Sequence, residues 1–180
     1  MSDFDKQLAY SLELGVEQIV TPWSPLSEKP TAADVKYLVE VMTRCGQRVK
    51  DAGLKYSYHN HAFEFKLIDQ KPFIQYLLEE VPAELMTLQL DLGWVYMAGC
   101  NSEDYLEKYK DRIPTVHAMD FAQGRVNTNI GKGEVGYDKL AGVIERANVQ
   151  YVFIEQEQFA NSSLDSAACN YQFFQQFGWK

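Results

Sequence analysis

Five short runs rich in β-branched and aromatic residues recur along the chain, and amphipathic segments separate them. In the longest of these segments, from Thr31 to about Lys50, apolar residues repeat at spacings of three and four, which is typical of a helix with one buried face. Thr31 and Asp34 also have the spacing of a helix-capping box. Strands that alternate with helices favour parallel βαβ units. The predicted strands are 17–21, 54–59, 86–91, 113–118 and 150–155, and the predicted helices are 31–50, 72–80, 102–110, 137–147 and 163–177.

This alternation limits the fold class. The chain has 180 residues, enough for one sizeable domain, and the stretches 22–30 and 121–136 are predicted to be loops rather than domain boundaries. A closed (β/α) barrel needs eight units and typically about 250 residues. Five units are present, so we predict a single α/β domain over residues 1–180. It is either an open sheet or a TIM-type barrel that lacks its first three units.

The charge and hydropathy of the chain exclude some partners. The formal net charge is -8, and no basic stripe is available for a phosphate backbone, so we expect no nucleic-acid partner. No apolar stretch approaches the ~20 residues that span a bilayer. The first residues are acidic and lack a signal-peptide pattern. We therefore predict a cytoplasmic protein with no membrane partner.

Residues that can bind a metal or carry a proton lie at the ends of four predicted strands. The carboxyl ends of parallel strands are where β/α proteins gather functional groups. Imidazoles and carboxylates without cysteine suit a hard or borderline divalent ion, with Mn²⁺, Mg²⁺, Co²⁺ and Zn²⁺ as candidates. We expect one such ion. The candidate residues are His59, His61, Glu64, Asp91, His117 and Glu155.

Four segments resemble the sugar phosphate isomerase/epimerase family, which has the xylose isomerase-like TIM barrel fold. They are 54–65 (LKYSYHNHAFEF), 90–99 (LDLGWVYMAG), 112–120 (RIPTVHAMD) and 151–157 (YVFIEQE). The similarity extends from about residue 14 to the C-terminus. It implies that the five βα units correspond to strands 4–8 of an incomplete eight-stranded barrel. The glycine loop 130–134 resembles a turn that borders the family's substrate pocket.

The resemblance also implies a chemistry. The family acts on sugars or sugar phosphates by reversible proton transfer next to a carbonyl, through an enediolate that a metal stabilises. Proton removal and return need groups on opposite faces of the substrate, here Glu155 together with Glu64, His61 or His59. His59 or His61 can instead approach the metal. The implied metal ligands are Glu64, Asp91, His117 and Glu155.

Two departures from the family pattern leave other functions open. Met119 stands where the family usually has a lysine, and methionine cannot donate a hydrogen bond to substrate oxygens. Three missing strands would leave sheet edges unpaired, which favours a homo-oligomer. One alternative is a lyase of the same superfamily that acts on 3-keto-sugars or inososes. Another is a catalytically impaired, truncated barrel that oligomerises. An endonuclease of the same barrel class is disfavoured, because the chain is acidic and has three histidines.

Overall fold

The computed structural model describes residues 3–24 and 30–179, so residues 25–29 of the predicted loop 22–30 lie outside the described part. The chain forms two compact units, Met1–Leu88 and Gln89–Lys180. All five predicted strand–helix pairs are present in the predicted order, and their ends agree with the prediction within about two residues.

The first unit contains two of these pairs and the start of a third strand. β1 (Gln18–Thr21) and β2 (Lys55–His59) are parallel, and Ile19 faces Tyr56 in their register. Thr87, which begins the next strand, donates a hydrogen bond to the Tyr56 carbonyl at 3.3 Å and contacts the Ser57 hydroxyl. The elements are α1 (Asp3–Leu14), β1 (Gln18–Thr21), α2 (Ala32–Asp51), β2 (Lys55–His59), a 3-10 turn (Phe63–Phe65), β3 (Leu67–Ile68), β4 (Lys71–Pro72), α3 (Phe73–Glu80) and the first residues of β5 (Thr87–Asp91).

Helix α2 begins where the capping box predicted it would. Thr31 accepts a hydrogen bond from the Asp34 N–H, and the Asp34 carboxylate accepts one from the Thr31 N–H at 2.7 Å. The predicted apolar face is buried apart from two half-buried positions, and it packs toward β2 and α3. Gly46 lies so close to the Leu85 carbonyl that a Cβ atom there would overlap it, which explains a glycine inside a helix.

The second unit carries the other three parallel strands. β6 (Thr115–Ala118) lies between β5 and β9 (Tyr151–Ile154); Asp91 faces His117 in one register, and His117 faces Phe153 in the other. The core of this unit consists mainly of apolar side chains from β5, β6, α5 (Ser102–Lys108) and α6 (Tyr137–Arg146), whereas no residue of β9 is buried. Besides the end of β5, the elements are α4 (Leu92–Met97), α5 (Ser102–Lys108), a 3-10 turn (Lys110–Arg112), β6 (Thr115–Ala118), β7 (Asp120–Ala122), β8 (Val126–Thr128), α6 (Tyr137–Arg146), β9 (Tyr151–Ile154) and α7 (Ser163–Gln175).

The prediction that residues 121–136 form a loop was wrong in part. β7 and β8 form a small antiparallel ribbon there. Gly124 and Arg125 have positive φ angles of 78° and 64°, which close the turn between two strands too short to show a clear alternation. Helices α1 and α4 were also not predicted. No residue of α1 is buried, and α4 has six residues, so neither gives a strong periodic signal.

None of the helices in the described part of the chain is both long and apolar enough to span a bilayer.

Candidate metal centre

Asp91 ends β5 and has two roles in the geometry of the second unit. Its Oδ1 accepts a hydrogen bond from the Trp94 N–H at 2.8 Å, which caps α4. Its Oδ2 lies 4.0 Å from Nδ1 of His117, the residue that faces it on β6. The side chain is fully buried. The cap therefore fixes one carboxylate oxygen and leaves the other directed toward His117.

His117 and Glu155 complete this group. Nδ1 of His117 lies 2.6 Å from Oε2 of Glu155, and the Glu155 N–H bonds to the Ala118 carbonyl at 3.0 Å. The His117 ring also packs against Phe153, with centroids 5.7 Å apart. The His117 side chain is 22% exposed and the Glu155 side chain 34% exposed. The group is thus buried at Asp91 and open to solvent at Glu155.

These three residues fit a divalent cation. Their candidate ligand atoms, one imidazole nitrogen and two carboxylate oxygens, lie within 4.8 Å of one another. Two ligands on opposite sides of an ion at ~2.0–2.4 Å are ~4–5 Å apart, so the spacing suits a common ion. A donor set of nitrogen and oxygen without sulfur suits the ions that the sequence predicted.

Burial favours the protonated, uncharged form of the Asp91 carboxyl group when no cation is bound. The pKa of Asp91 is raised to about 8, chiefly by burial; the Trp94 N–H lowers it and the nearby Glu155 carboxylate adds to the rise. A buried carboxylate whose neighbour is another carboxylate needs either a proton or a cation. The environment of Asp91 therefore favours a positively charged ligand.

Glu64 lies in the first unit, in the 3-10 turn after β2, and is completely buried. Its Oε1 accepts a hydrogen bond from the Tyr58 hydroxyl at 2.7 Å, and its Oε2 accepts one from the His61 N–H at 2.8 Å. Both carboxylate oxygens are thus used within the first unit. The predicted role of Glu64 as a metal ligand stays a prediction.

His59 and His61 also belong to the first unit. His59 ends β2 and is buried, whereas His61 is partly exposed. Their rings meet edge to face with centroids 5.2 Å apart. His61 also stacks on Phe63. Their predicted roles in acid–base chemistry remain predictions.

We expect Glu64→Gln to stabilise the metal-free protein at pH 8 and to leave it unchanged near pH 4. Burial raises the pKa of Glu64 to about 7 in the folded chain. The folded state therefore holds a proton that the unfolded state loses, and stability falls as the pH rises from about 4 to 7. Glutamine carries no charge, so the gain at pH 8 is up to about 3 kcal/mol. Urea unfolding with a chelator present, at both pH values, measures it.

The hydrogen bonds around position 64 make glutamine a suitable replacement. Its oxygen can accept the His61 N–H, and its NH₂ group can donate to the Tyr58 hydroxyl. The single Tyr58 proton is then free to turn toward Ser24 Oγ, which lies 3.1 Å away. Glu84→Gln, at an exposed position of the first unit, is the matched control and should change stability by less than about 0.5 kcal/mol. A variant at position 64 that is less stable than the parent at pH 8 would contradict this reasoning.

Asp120 has a structural role beside the candidate site that the sequence analysis did not predict. Its carboxylate is fully buried at the start of β7. It accepts hydrogen bonds from the N–H groups of Gly131, Gly133, Val135 and Phe121, at 2.9, 3.0, 3.2 and 2.9 Å. This one side chain thereby shapes the glycine loop. An aspartate at a strand end, followed by a G-x-G sequence about ten residues later, was the available signal.

Met119 precedes Asp120 and is almost completely buried. Its N–H donates to the Tyr137 hydroxyl at 2.9 Å, and its carbonyl and Cβ lie against Gly93 so closely that a Cβ at position 93 would overlap them. Position 119 is therefore an apolar contact between β6 and α4 in this protein. A lysine at this position would place its charge in a buried apolar contact, which is unfavourable unless the charge is paired.

The fold is that of a known family. The family model described as xylose isomerase-like TIM barrel matches residues 1–172. The chain belongs to this family, which confirms the predicted fold class and the family named from the four segments. The match covers both compact units. The five parallel strand–helix pairs within the described residues account for part of an eight-unit barrel.

Individual relatives add detail. The inosose dehydratases of two Clostridium perfringens strains are 24% identical over 142 residues, an alignment that covers 68% of this chain and 47% of theirs. A sugar phosphate isomerase/epimerase from Parabacteroides distasonis has a TM-score of 0.79 at 20% identity, covering 94% of this chain and 61% of its own. The IOLI protein with a bound zinc atom has a TM-score of 0.77 at 14% identity, covering 97% and 67%.

The solved structures agree with the fold that the family match gives. The chain belongs to a family of enzymes. The proteins that it resembles include isomerases, epimerases and dehydratases. The chain spans about half the length of the curated relatives that it matches.

Proposed function

We propose that this protein is part of a metal-dependent isomerase or epimerase of sugars or sugar phosphates. The observation that carries the proposal is the meeting of Asp91, His117 and Glu155 at the carboxyl ends of neighbouring parallel strands. A divalent cation, when bound, supplies a Lewis acid for a substrate carbonyl and an adjacent hydroxyl. Mn²⁺, Mg²⁺, Co²⁺ and Zn²⁺ all suit these donors.

Glu155 is the best placed of these residues to move a proton. A base has to reach the carbon-bound proton of the substrate, and Glu155 is the most exposed member of the group, whereas Asp91 is fully buried. His117 holds the Glu155 carboxylate by a 2.6 Å hydrogen bond. That contact orients the carboxylate. We therefore assign Glu155 the role of base and His117 the role of ligand and positioning group.

We assign the second proton-carrying group to the segment HNHAFEF, as the family resemblance implies. Glu64 has both oxygens engaged and is fully buried, and His59 is also buried, so the partly exposed His61 is the best proton carrier of the three. Variants of each residue separate these roles.

A dehydratase is the second candidate function, because curated relatives of this chain are inosose dehydratases. Proton removal by Glu155 gives the same enediolate in either reaction. A β-hydroxyl group then leaves as water instead of the proton returning to carbon. The two reactions differ in the formula of the product, so they can be told apart directly.

The test is incubation of the purified, Mn²⁺-loaded protein with ketoses, 3-keto-glucosides and inososes in D₂O, followed by NMR and mass spectrometry. We expect solvent deuterium in a product of unchanged formula for an isomerase or epimerase, and loss of water for a dehydratase. Glu155→Gln should lower the rate of either reaction by more than about 100-fold, as expected for removal of a general base.

The neighbouring Glu157→Gln is the matched control, because Glu157 is exposed and its side chain lies outside the group. It should leave the rate unchanged. If the protein binds Mn²⁺ but neither exchanges deuterium nor eliminates water, the catalytic proposal fails. That result would favour the non-catalytic alternative, in which exposed apolar residues of β9 such as Tyr151 and Phe153 support an oligomer.

A further inference from the structure

A cavity of about 330 Å³ lies in the second unit, between the β7–β8 ribbon and the segment that follows β9. Asp91, His117 and Glu155 are not among its lining residues. Gln156 does line it, and this residue directly follows Glu155 in the chain. The cavity therefore begins one residue away from the proposed base and is separate from the candidate metal ligands.

Asn127 holds one wall of this cavity in place. Its side chain is buried, and Oδ1 accepts hydrogen bonds from the N–H groups of Glu157 and Gln158 at 2.7 and 3.4 Å. Nδ2 donates to the Asp120 carbonyl at 3.0 Å. One amide thus ties the segment after β9 to the ribbon. Because Asn127 and Asp120 are both buried, this wall is anchored in the fold on the ribbon side.

Gln156 holds the opposite part of the wall. Its Nε2 donates to Oδ1 of Asn129 at 3.0 Å and to the Gln158 carbonyl at 2.8 Å. Its Oε1 accepts from the buried Asn170 at 2.8 Å, and Asn170 in turn accepts from the Ile130 N–H at 2.8 Å. These contacts use most of the hydrogen-bonding capacity of Gln156. Gln156 is thus a framework residue, and other side chains remain to meet a ligand.

Three lining side chains keep their hydrogen-bonding groups available. Within residues 3–24 and 30–179, the Thr128 hydroxyl, the Lys132 ammonium and the Gln158 carboxamide have no hydrogen-bond or ion-pair partner. Two apolar side chains complete the lining: Phe159 is 42% exposed and Val126 is 51% exposed. The cavity therefore offers neutral and charged donors beside an aromatic face.

This combination suits a hydroxylated ring. The C–H face of a sugar packs on an aromatic ring, and its hydroxyl groups exchange hydrogen bonds with amides and hydroxyls. A phosphate would need more positive charge, and among the described lining residues Lys132 supplies the only cation. The volume falls at the lower end of the ~300–1,000 Å³ typical of small-molecule sites.

We propose that this cavity binds a second sugar ring, so that the preferred substrate is a glycoside or disaccharide rather than a free monosaccharide. The proposal rests on the proposed function for its link to substrate, since Gln156 joins the cavity to Glu155. Binding of a sugar to the cavity itself needs neither metal nor catalysis.

Saturation-transfer NMR on the metal-free full chain tests the proposal, with cellobiose as probe and with inorganic phosphate in a separate titration. We expect cellobiose to bind. Phe159→Ala should weaken binding about 5- to 10-fold, because an aromatic contact contributes about 1–1.5 kcal/mol. Gln158→Ala should weaken it to a similar degree. Tyr171→Ala, at an exposed aromatic residue outside the cavity, should have no effect.

The outcomes separate this proposal from the proposed function. His117→Ala and Glu155→Gln should leave cellobiose binding unchanged even though they abolish metal binding or catalysis. No cellobiose binding, or binding that Phe159→Ala does not weaken while the thermal unfolding midpoint is retained, overturns the second-ring site. Binding of phosphate without cellobiose also overturns it and identifies an anion site instead.

Discussion

Asp91→Asn is expected to weaken Mn²⁺ binding by more than about 100-fold while the protein stays folded, since even loss of an outer-shell partner costs about 10- to 100-fold. Asparagine keeps an oxygen that can accept the Trp94 N–H, so the cap of α4 survives. What is lost is the charge of the buried oxygen that lies 4.0 Å from His117. Isothermal titration with Mn²⁺ measures the affinity, and circular dichroism checks the fold.

Asp91→Ala separates the two roles of this residue. It should lose the metal to the same extent and, in addition, destabilise the metal-free protein by about 1 kcal/mol, because the helix cap is removed. Asp111→Asn, at an exposed position of the second unit, should retain full Mn²⁺ affinity. If Asp91→Asn binds Mn²⁺ as tightly as the parent, Asp91 caps a helix and does nothing more.

The same site gives a pH dependence with a definite sign. The pKa of Asp91 is raised to about 8, chiefly by burial, so below that pH a cation has to displace a proton. We expect Mn²⁺ affinity to rise by up to about tenfold per pH unit from pH 6 to 8 and then to level off, since one proton is released on binding. Asp91→Asn should lose this contribution. Titration in two buffers of different ionisation enthalpy counts the protons released.

Asp120→Ala is expected to destabilise the protein by about 3–5 kcal/mol, comparable to the removal of one partner of a buried charged pair. Four backbone N–H groups lose their acceptor at once, and three of them lie in the loop from Gly131 to Val135. Each buried N–H left without an acceptor costs about 1–3 kcal/mol, although water can satisfy some of them. Urea unfolding of the metal-free protein at pH 7 measures the loss.

Asp120→Asn is the informative second variant. Its one oxygen can still accept hydrogen bonds from some of the loop N–H groups, but its NH₂ group is a donor and cannot accept from the others. Its loss should fall between those of the parent and the alanine variant. Asp111→Asn again serves as a surface control, with a change below about 0.5 kcal/mol. A loss below 1 kcal/mol for Asp120→Ala would mean that the glycine loop holds its shape without this carboxylate.

Much of the fold could be predicted from local patterns. The capping box at Thr31 located the start of α2, and the apolar periodicity of 137–147 located α6 within one residue. Such signals are local, because they depend on side chains three or four positions apart. The ribbon β7–β8 gave no such signal; its turn depends on Gly124 and Arg125 in left-handed conformations. Helix α1 has no buried face and was likewise missed.

The candidate site was predictable in part for the same reason. Asp91, His117 and Glu155 each follow an apolar run, and parallel strands bring their carboxyl ends to one edge. The residues that hold the site gave no pattern of this kind. Asp120 reaches the glycine loop across more than ten residues, and Asn170 reaches Ile130 across forty. Hydrogen bonds over such separations depend on how the elements pack.

By itself, the sequence determined the order of the predicted strands and helices, the family and the residues with metal-binding chemistry, because periodicity and residue type are local properties of the sequence. Only the tertiary structure decided that Asp91 is buried with a raised pKa and that Glu155 is the accessible carboxylate. It also decided that the Glu64 carboxylate accepts hydrogen bonds from the Tyr58 hydroxyl and the His61 N–H. Exposure and hydrogen-bond occupancy are set by neighbours distant in sequence, and they decide which of several identical carboxylates can act.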